Sequence, residues 1–152
     1  MHQIEIEYKG DLRTESVHLK SGQKLITDAP VDNQGKGEAF SPTDLTASAL
    51  GSCMLTIMGI TADSRDIDIS GARAEIEKVM GTNPRRITRI IINIYFQNKL
   101  AKQEKQLFEK SALSCPVHRS LHPDTEILTQ FLNYNKYYNQ QFLYRGVSYY
   151  QL

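Results

Sequence analysis

Apolar and polar residues alternate from the start of the chain. In residues 2–8, Ile4, Ile6 and Tyr8 fall on one face of an extended strand. Residues 12–20 and 24–27 predict two further strands, divided by turns at Lys9-Gly10-Asp11 and Ser21-Gly22-Gln23. Residues 28–39 hold few apolar side chains but include Pro30, Gly35 and Gly37, which predicts a loop. Loops of this length are functional more often than short connections are.

The period changes at Ser41. Ser41 is a good N-cap, Pro42 suits the first helical position, and Asp44 stands three residues after Ser41 as in a capping box. The run 45–60 that follows carries no charge, and Cys53 lies near its middle. A helix apolar nearly all round is buried on most sides, so this one is expected at the centre, flanked by sheet or by a second subunit.

Alternation resumes over 67–78, with Ala72, Ala74 and Ile76 facing one way and Arg73, Glu75 and Glu77 the other. Gly81-Thr82-Asn83-Pro84 predicts a turn. Residues 86–96 form the strongest strand pattern, with Ile90, Ile92, Ile94 and Phe96 on one face. Residues 100–113 read as an amphipathic surface helix, Cys115-Pro116 opens another helical turn, and 126–131 reads as a closing strand. These elements predict one domain of strands and helices over 1–132. The tail, 133–152, holds six of the eight tyrosines among Asn and Gln, and reads as an oligomer contact, a disordered end or a non-native addition.

Composition narrows the function. The chain is 40% apolar and 23% charged, ordinary for a soluble globular protein. A net charge of +1 gives no electrostatic case for nucleic acid or an anionic membrane. No continuously apolar run reaches the ~18 residues of a membrane span. The N-terminus lacks the basic start and apolar stretch of a signal peptide. A cytoplasmic location is expected, and structural disulfides are rare there. Two thiols in that compartment are inert core, metal ligands or redox groups.

Cys53 in its uncharged helix is either a buried small hydrophobe or a reactive thiol. Cys115 precedes a proline at a helix start, where backbone N–H groups and the helix dipole are expected to lower a thiol's pKa. His118 and Arg119 follow within one turn and would add positive potential. Cys115, His118 and His122 also have the spacing of half a zinc site, but Cys53 is the only other sulfur, and no metal is expected.

Ser41-Pro42-Thr43-Asp44-Leu45 through Ala49-Leu50-Gly51-Ser52-Cys53 resembles the first cysteine motif of the OsmC/Ohr family, and Cys115-Pro116-Val117-His118-Arg119-Ser120-Leu121 resembles its second. The likeness spans roughly residues 2–131 and is nearest to a less studied OsmC-like branch. It implies an OsmC-like α+β fold, with an antiparallel meander packed with a central buried helix, and an intertwined homodimer with its active sites at the subunit interface. It implies a thiol peroxidase for organic hydroperoxides, and in some members hydrogen peroxide too, with no cofactor and an external dithiol reductant. Cys53 matches the attacking cysteine and Cys115 the resolving one. The family also uses an arginine from the N-terminal strands. Arg13 is the one arginine before Cys53, and is either that residue or a solvated strand residue.

There is one departure. The better-known branches carry a glutamate ten residues before the first cysteine, which orients the arginine; here that position is Thr43. Asp44 beside it either substitutes or only caps the helix. Leu50, Met54 and Ile57 would favour organic peroxides if they line the pocket. The rival to an enzyme is a non-enzymatic OsmC-like dimer that senses redox state or binds a small ligand.

Overall fold

A computed structural model of the chain describes residues 2–133. Apart from Asn133, the tyrosine-rich tail lies outside the described residues. The fold is α+β, and among the described residues there are two three-stranded sheets and three α-helices. The described residues belong to two compact units, one running to Ala49 and one beginning at Leu50.

The first unit is a meander of β1 (Ile4–Gly10), β2 (Arg13–His18) and β3 (Lys24–Asp28), paired antiparallel in that order. Its register places Ile4 opposite His18, Ile6 opposite Ser16, and Arg13 opposite Asp28. Ile4, Ile6 and Tyr8 do share a face, but they are 56%, 68% and 63% exposed.

Residues 29–39 close into a compact loop. Asp28 N–H donates to the Phe40 carbonyl at 3.1 Å and Gly37 N–H to the Ala29 carbonyl at 3.3 Å, so the two ends of the loop meet. Inside it, Asn33 and Gly35 both donate to the Pro30 carbonyl around a 3-10 turn, Val31–Asn33. A Cβ on Gly35 would stand 1.7 Å from the Ala29 oxygen, so only glycine fits this close approach of backbone to backbone.

Helix α1 (Pro42–Asp63) starts where the sequence predicts. Ser41 Oγ accepts from Asp44 N–H at 3.1 Å, and Asp44 Oδ2 accepts from Ser41 N–H at 2.9 Å, closing a reciprocal capping box. The expectation that no segment is long enough to span a membrane needs correction. By length and composition α1 qualifies, with a mean hydropathy of 1.5 over 18 residues. Its buried residues nevertheless trace one stripe, Ala47, Leu50, Met54, Met58 and Ala62, at the three- and four-residue spacing of a core-facing helix. The helix is therefore less enclosed than its lack of charge suggests: Ile60 on another face is 61% exposed.

In the second unit β4 (Arg73–Thr82) pairs antiparallel with β5 (Arg85–Phe96), and β5 pairs parallel with β6 (Glu126–Asn133). Parallel neighbours need a crossover, which here runs through α2 (Lys102–Leu113) and α3 (Pro116–Ser120). The central strand β5 buries Ile90, Ile92, Ile94 and Phe96, and Phe108 of α2 stacks on Phe96 with ring centroids 5.7 Å apart. Helix α1 lies against β4 at Gly51, where an added Cβ would stand 2.3 Å from Ile76 Cδ1.

Candidate active site

Cys53 projects from α1 and is half-buried, whereas Cys115 is fully buried. Both are free thiols, and the structure makes them neighbours: Cys53 is one of the groups that shift the Cys115 pKa. Ile57 and Ile60 lie four and seven residues beyond Cys53, on the same helical face. Leu50 and Met54, considered above as pocket residues, are instead wholly buried in the core.

Cys115 is the N-cap of α3, with extended backbone, and Pro116 occupies the first turn. Its sulfur accepts from the His118 N–H at 3.3 Å. The helix start was expected to make Cys115 acidic, and the structure reverses that. Burial pushes the thiol up from its ordinary value, and the nearby Cys53 thiol adds to the rise; the His118 and Val117 N–H groups oppose it without prevailing. A thiolate at full burial loses more hydration than two backbone donors return. Cys115 is therefore held as a thiol at neutral pH. His118 acts on it through its backbone N–H.

In the first unit Arg13 is not a solvated strand residue. Its Nε donates to Asp28 Oδ1 at 2.6 Å and its Nη2 to Asp28 Oδ2 at 2.8 Å, a two-pronged pairing across β2 and β3. Nη2 also donates to Glu38 Oε2 at 2.7 Å, and Glu38 N–H donates to Asp28 Oδ2 at 3.1 Å. Asp28 is 1% exposed. Arg13 holds its carboxyl below the usual range, and the guanidinium is raised in turn.

The carboxylates that bind Arg13 are thus Asp28 and Glu38, while Asp44 serves the helix cap and accepts from Ser41 Oγ at 2.6 Å. Thr43 Oγ1 also sits 3.1 Å from Ser41 Oγ. Sequence reasoning missed both partners of Arg13. Asp28 follows from the observed strand register, which centres the hairpin on Lys20-Ser21 and so brings residue 13 opposite residue 28; the turn read from the sequence at Ser21-Gly22-Gln23 would have shifted that pairing. No sequence signal marks Glu38, because loop closure places it.

The zinc half-site does not assemble. Among the described residues no three His, Cys, Asp or Glu side chains are grouped to hold a metal ion, and His122 Nδ1 instead accepts from Asp124 N–H at 3.2 Å. A cleft of about 530 Å³ opens beside the C-terminal half of α1, lined by Leu55, Asp63, Asp66 and Asp68 among others, and includes neither cysteine.

This fold with its paired thiols agrees with comparison to known proteins. Residues 35–129 match the family model described as OsmC-like protein. The chain belongs to the OsmC-like family. It is 51% identical to a candidate osmotic stress induced and detoxification response protein from Psychrobacter arcticus, whose crystal structure superposes with a TM-score of 0.82 over 88% of this chain and 96% of that one. An OsmC-like protein from Mycoplasma pneumoniae shares the fold at 17% identity and a TM-score of 0.74, over 88% of this chain and 98% of that one. An organic hydroperoxide resistance protein from Legionella pneumophila does so at 14% identity and 0.66, over 86% and 95%. No curated protein matches the chain.

Proposed function

We propose that this chain is a cysteine-based peroxidase that reduces organic hydroperoxides. The observation that carries the reading is the juxtaposition of a half-buried thiol, Cys53, with a fully buried one, Cys115, in an OsmC-like fold. Stress-response and hydroperoxide-resistance names among its structural neighbours support the same reading.

The Cys53 thiolate attacks one peroxide oxygen. The O–O bond breaks, that oxygen stays on sulfur as a sulfenic acid, and the other leaves with a proton as the alcohol. Cys115, held as a thiol, then condenses with the sulfenic acid; an S–S bond forms and water departs. An external dithiol restores both thiols by two exchange steps. From the family resemblance, Arg13, whose guanidinium is held by Asp28 and Glu38, is proposed as the group that polarises the peroxide. Ile57 and Ile60 on the Cys53 face suit an organic substituent. Asp44 has no step in this scheme beyond capping the helix.

The exposed stripe of Ile4, Ile6 and Tyr8 is the kind of face a second copy would cover, so the working unit is proposed to be a homodimer in the cytosol. A second reading, a non-enzymatic redox sensor, draws support from Thr43 standing where other branches carry a glutamate.

Stopped-flow consumption of cumene hydroperoxide with excess dithiothreitol separates the readings. An enzyme turns over many equivalents, whereas a sensor consumes one per thiol pair. Cys53→Ser is expected to abolish consumption, and Cys115→Ser to accumulate a dimedone-reactive sulfenic acid. A Cys53→Ser protein with wild-type turnover rules the mechanism out.

A further inference from the structure

We infer that the external thiol which regenerates the protein attacks the sulfur of Cys53, so that the mixed disulfide forms on α1 and Cys115 is the leaving group. The inference rests on the peroxidase reading, in which a Cys53–Cys115 disulfide closes each turnover.

Two effects oppose each other. A thiolate can take either sulfur of a disulfide, and the better leaving group departs faster. By that measure attack on Cys115 is favoured, because burial and the neighbouring Cys53 raise the Cys115 pKa and make it the poorer leaving group. Access favours attack on Cys53. Displacement at sulfur runs in line with the bond that breaks, so the incoming thiolate needs open space behind the sulfur it takes. Cys115 is fully buried at the start of α3. Its N–H donates to the carbonyl of buried Ala112 at 3.2 Å, and its sulfur accepts from His118 N–H at 3.3 Å. Cys53 is half-buried, and Ser52 and Thr56 beside it on α1 are exposed. Both are small, and α1 carries no charged side chain from Leu45 to Ala62 to repel a thiolate.

The magnitudes decide between them. A buried sulfur is reached only through opening of the structure around it, and a core position is open in about one molecule in 10³ or fewer. The leaving-group effect is worth about threefold for each tenfold change in acidity. Access therefore wins. The step needs no further reactant. A bond forms from the reductant's sulfur to Cys53 Sγ, the S–S bond breaks, and its electron pair stays on Cys115 Sγ, which takes a proton from water. The second thiol of the dithiol then attacks the reductant's own bound sulfur, and Cys53 leaves as a free thiol.

The test joins the two thiols of the full chain with diamide, which forms the disulfide without any peroxide. The bond is then opened with 2-mercaptoethanol, a monothiol that has no second thiol to displace Cys53. Early samples are quenched in acid, free thiols are blocked with N-ethylmaleimide, and the peptides are mapped by mass. The mercaptoethanol adduct is expected on Cys53 and the maleimide on Cys115, in about 10-fold or greater excess over the reverse, because opening limits attack on Cys115. In denaturing urea that preference should fall to about threefold or less. Urea below the unfolding transition should leave the native rate nearly unchanged. An adduct mainly on Cys115, equal adducts on both, or a disulfide that opens only as urea is added overturns the inference while the peroxidase reading stands. If cumene hydroperoxide forms no disulfide, that reading falls and the step loses its role, whereas the diamide-formed bond still tells which sulfur is attacked. Thiols that diamide cannot join remove the reading and the inference together.

Discussion

Arg13 and Asp28 face each other across β2 and β3 and are joined by two hydrogen bonds, at 2.6 and 2.8 Å. The carboxyl is buried and acidified by its partner, so its charge is linked to folding. The folded pKa lies below the unfolded value of about 3.9. The stabilisation is therefore complete above that unfolded value and is lost as pH falls through the lower, folded one. Asp28→Asn should depress the urea midpoint clearly at pH 6, and the difference from wild type should close as pH drops toward 2. A difference that stays constant over this range contradicts the linkage.

Cys115 provides the opposite case. Its folded pKa is raised, so the stabilisation from keeping it neutral is present below the unfolded value and lost as pH climbs through the folded one. Native protein treated with iodoacetamide at pH 8 should be alkylated at Cys53 and spared at Cys115, with both labelled in urea. Peptide mass mapping reads the order directly, and preferential labelling of Cys115 would contradict both its burial and its raised pKa.

Gly51 sets how closely α1 approaches β4. Gly51→Ala pushes a methyl group against Ile76 Cδ1, the movable end of that side chain, and should cost at most about 1 kcal/mol, because alanine's better helix propensity offsets part of the overpacking. Ile76→Val removes the clashing carbon. The double variant should recover most of that loss in chemical denaturation, and simple additivity of the two changes would show that the contact is not the cause.

Ser41→Ala opens the capping box at the start of α1. The expected loss is about 1 kcal/mol, typical of removing a serine cap. Because Asp44 also loses its Ser41 Oγ partner, Ser41→Ala with Asp44→Ala should destabilise by less than the sum of the single changes. Equilibrium unfolding of all three variants measures the coupling.

The strands, the helices and the start of α1 were legible in the order of residues because their causes are local. Alternation specifies a pleated strand, and Ser41-Pro42-Thr43-Asp44 contains its own cap. The cysteine motifs also marked Cys53 and Cys115, two thiols that the fold makes neighbours. The tertiary structure decided everything that depends on what surrounds a group. It raised the Cys115 pKa, although its sequence neighbours favour the thiolate, because burial outweighs two N–H donors. It brought Asp28 and Glu38 to Arg13, because strand register and loop closure choose partners by distance in space. It paired β5 with β6 in parallel through a two-helix crossover that no local pattern announces. Hydrogen bonds along one segment are set by neighbours in the chain, whereas desolvation and ion pairing are set by neighbours in three dimensions.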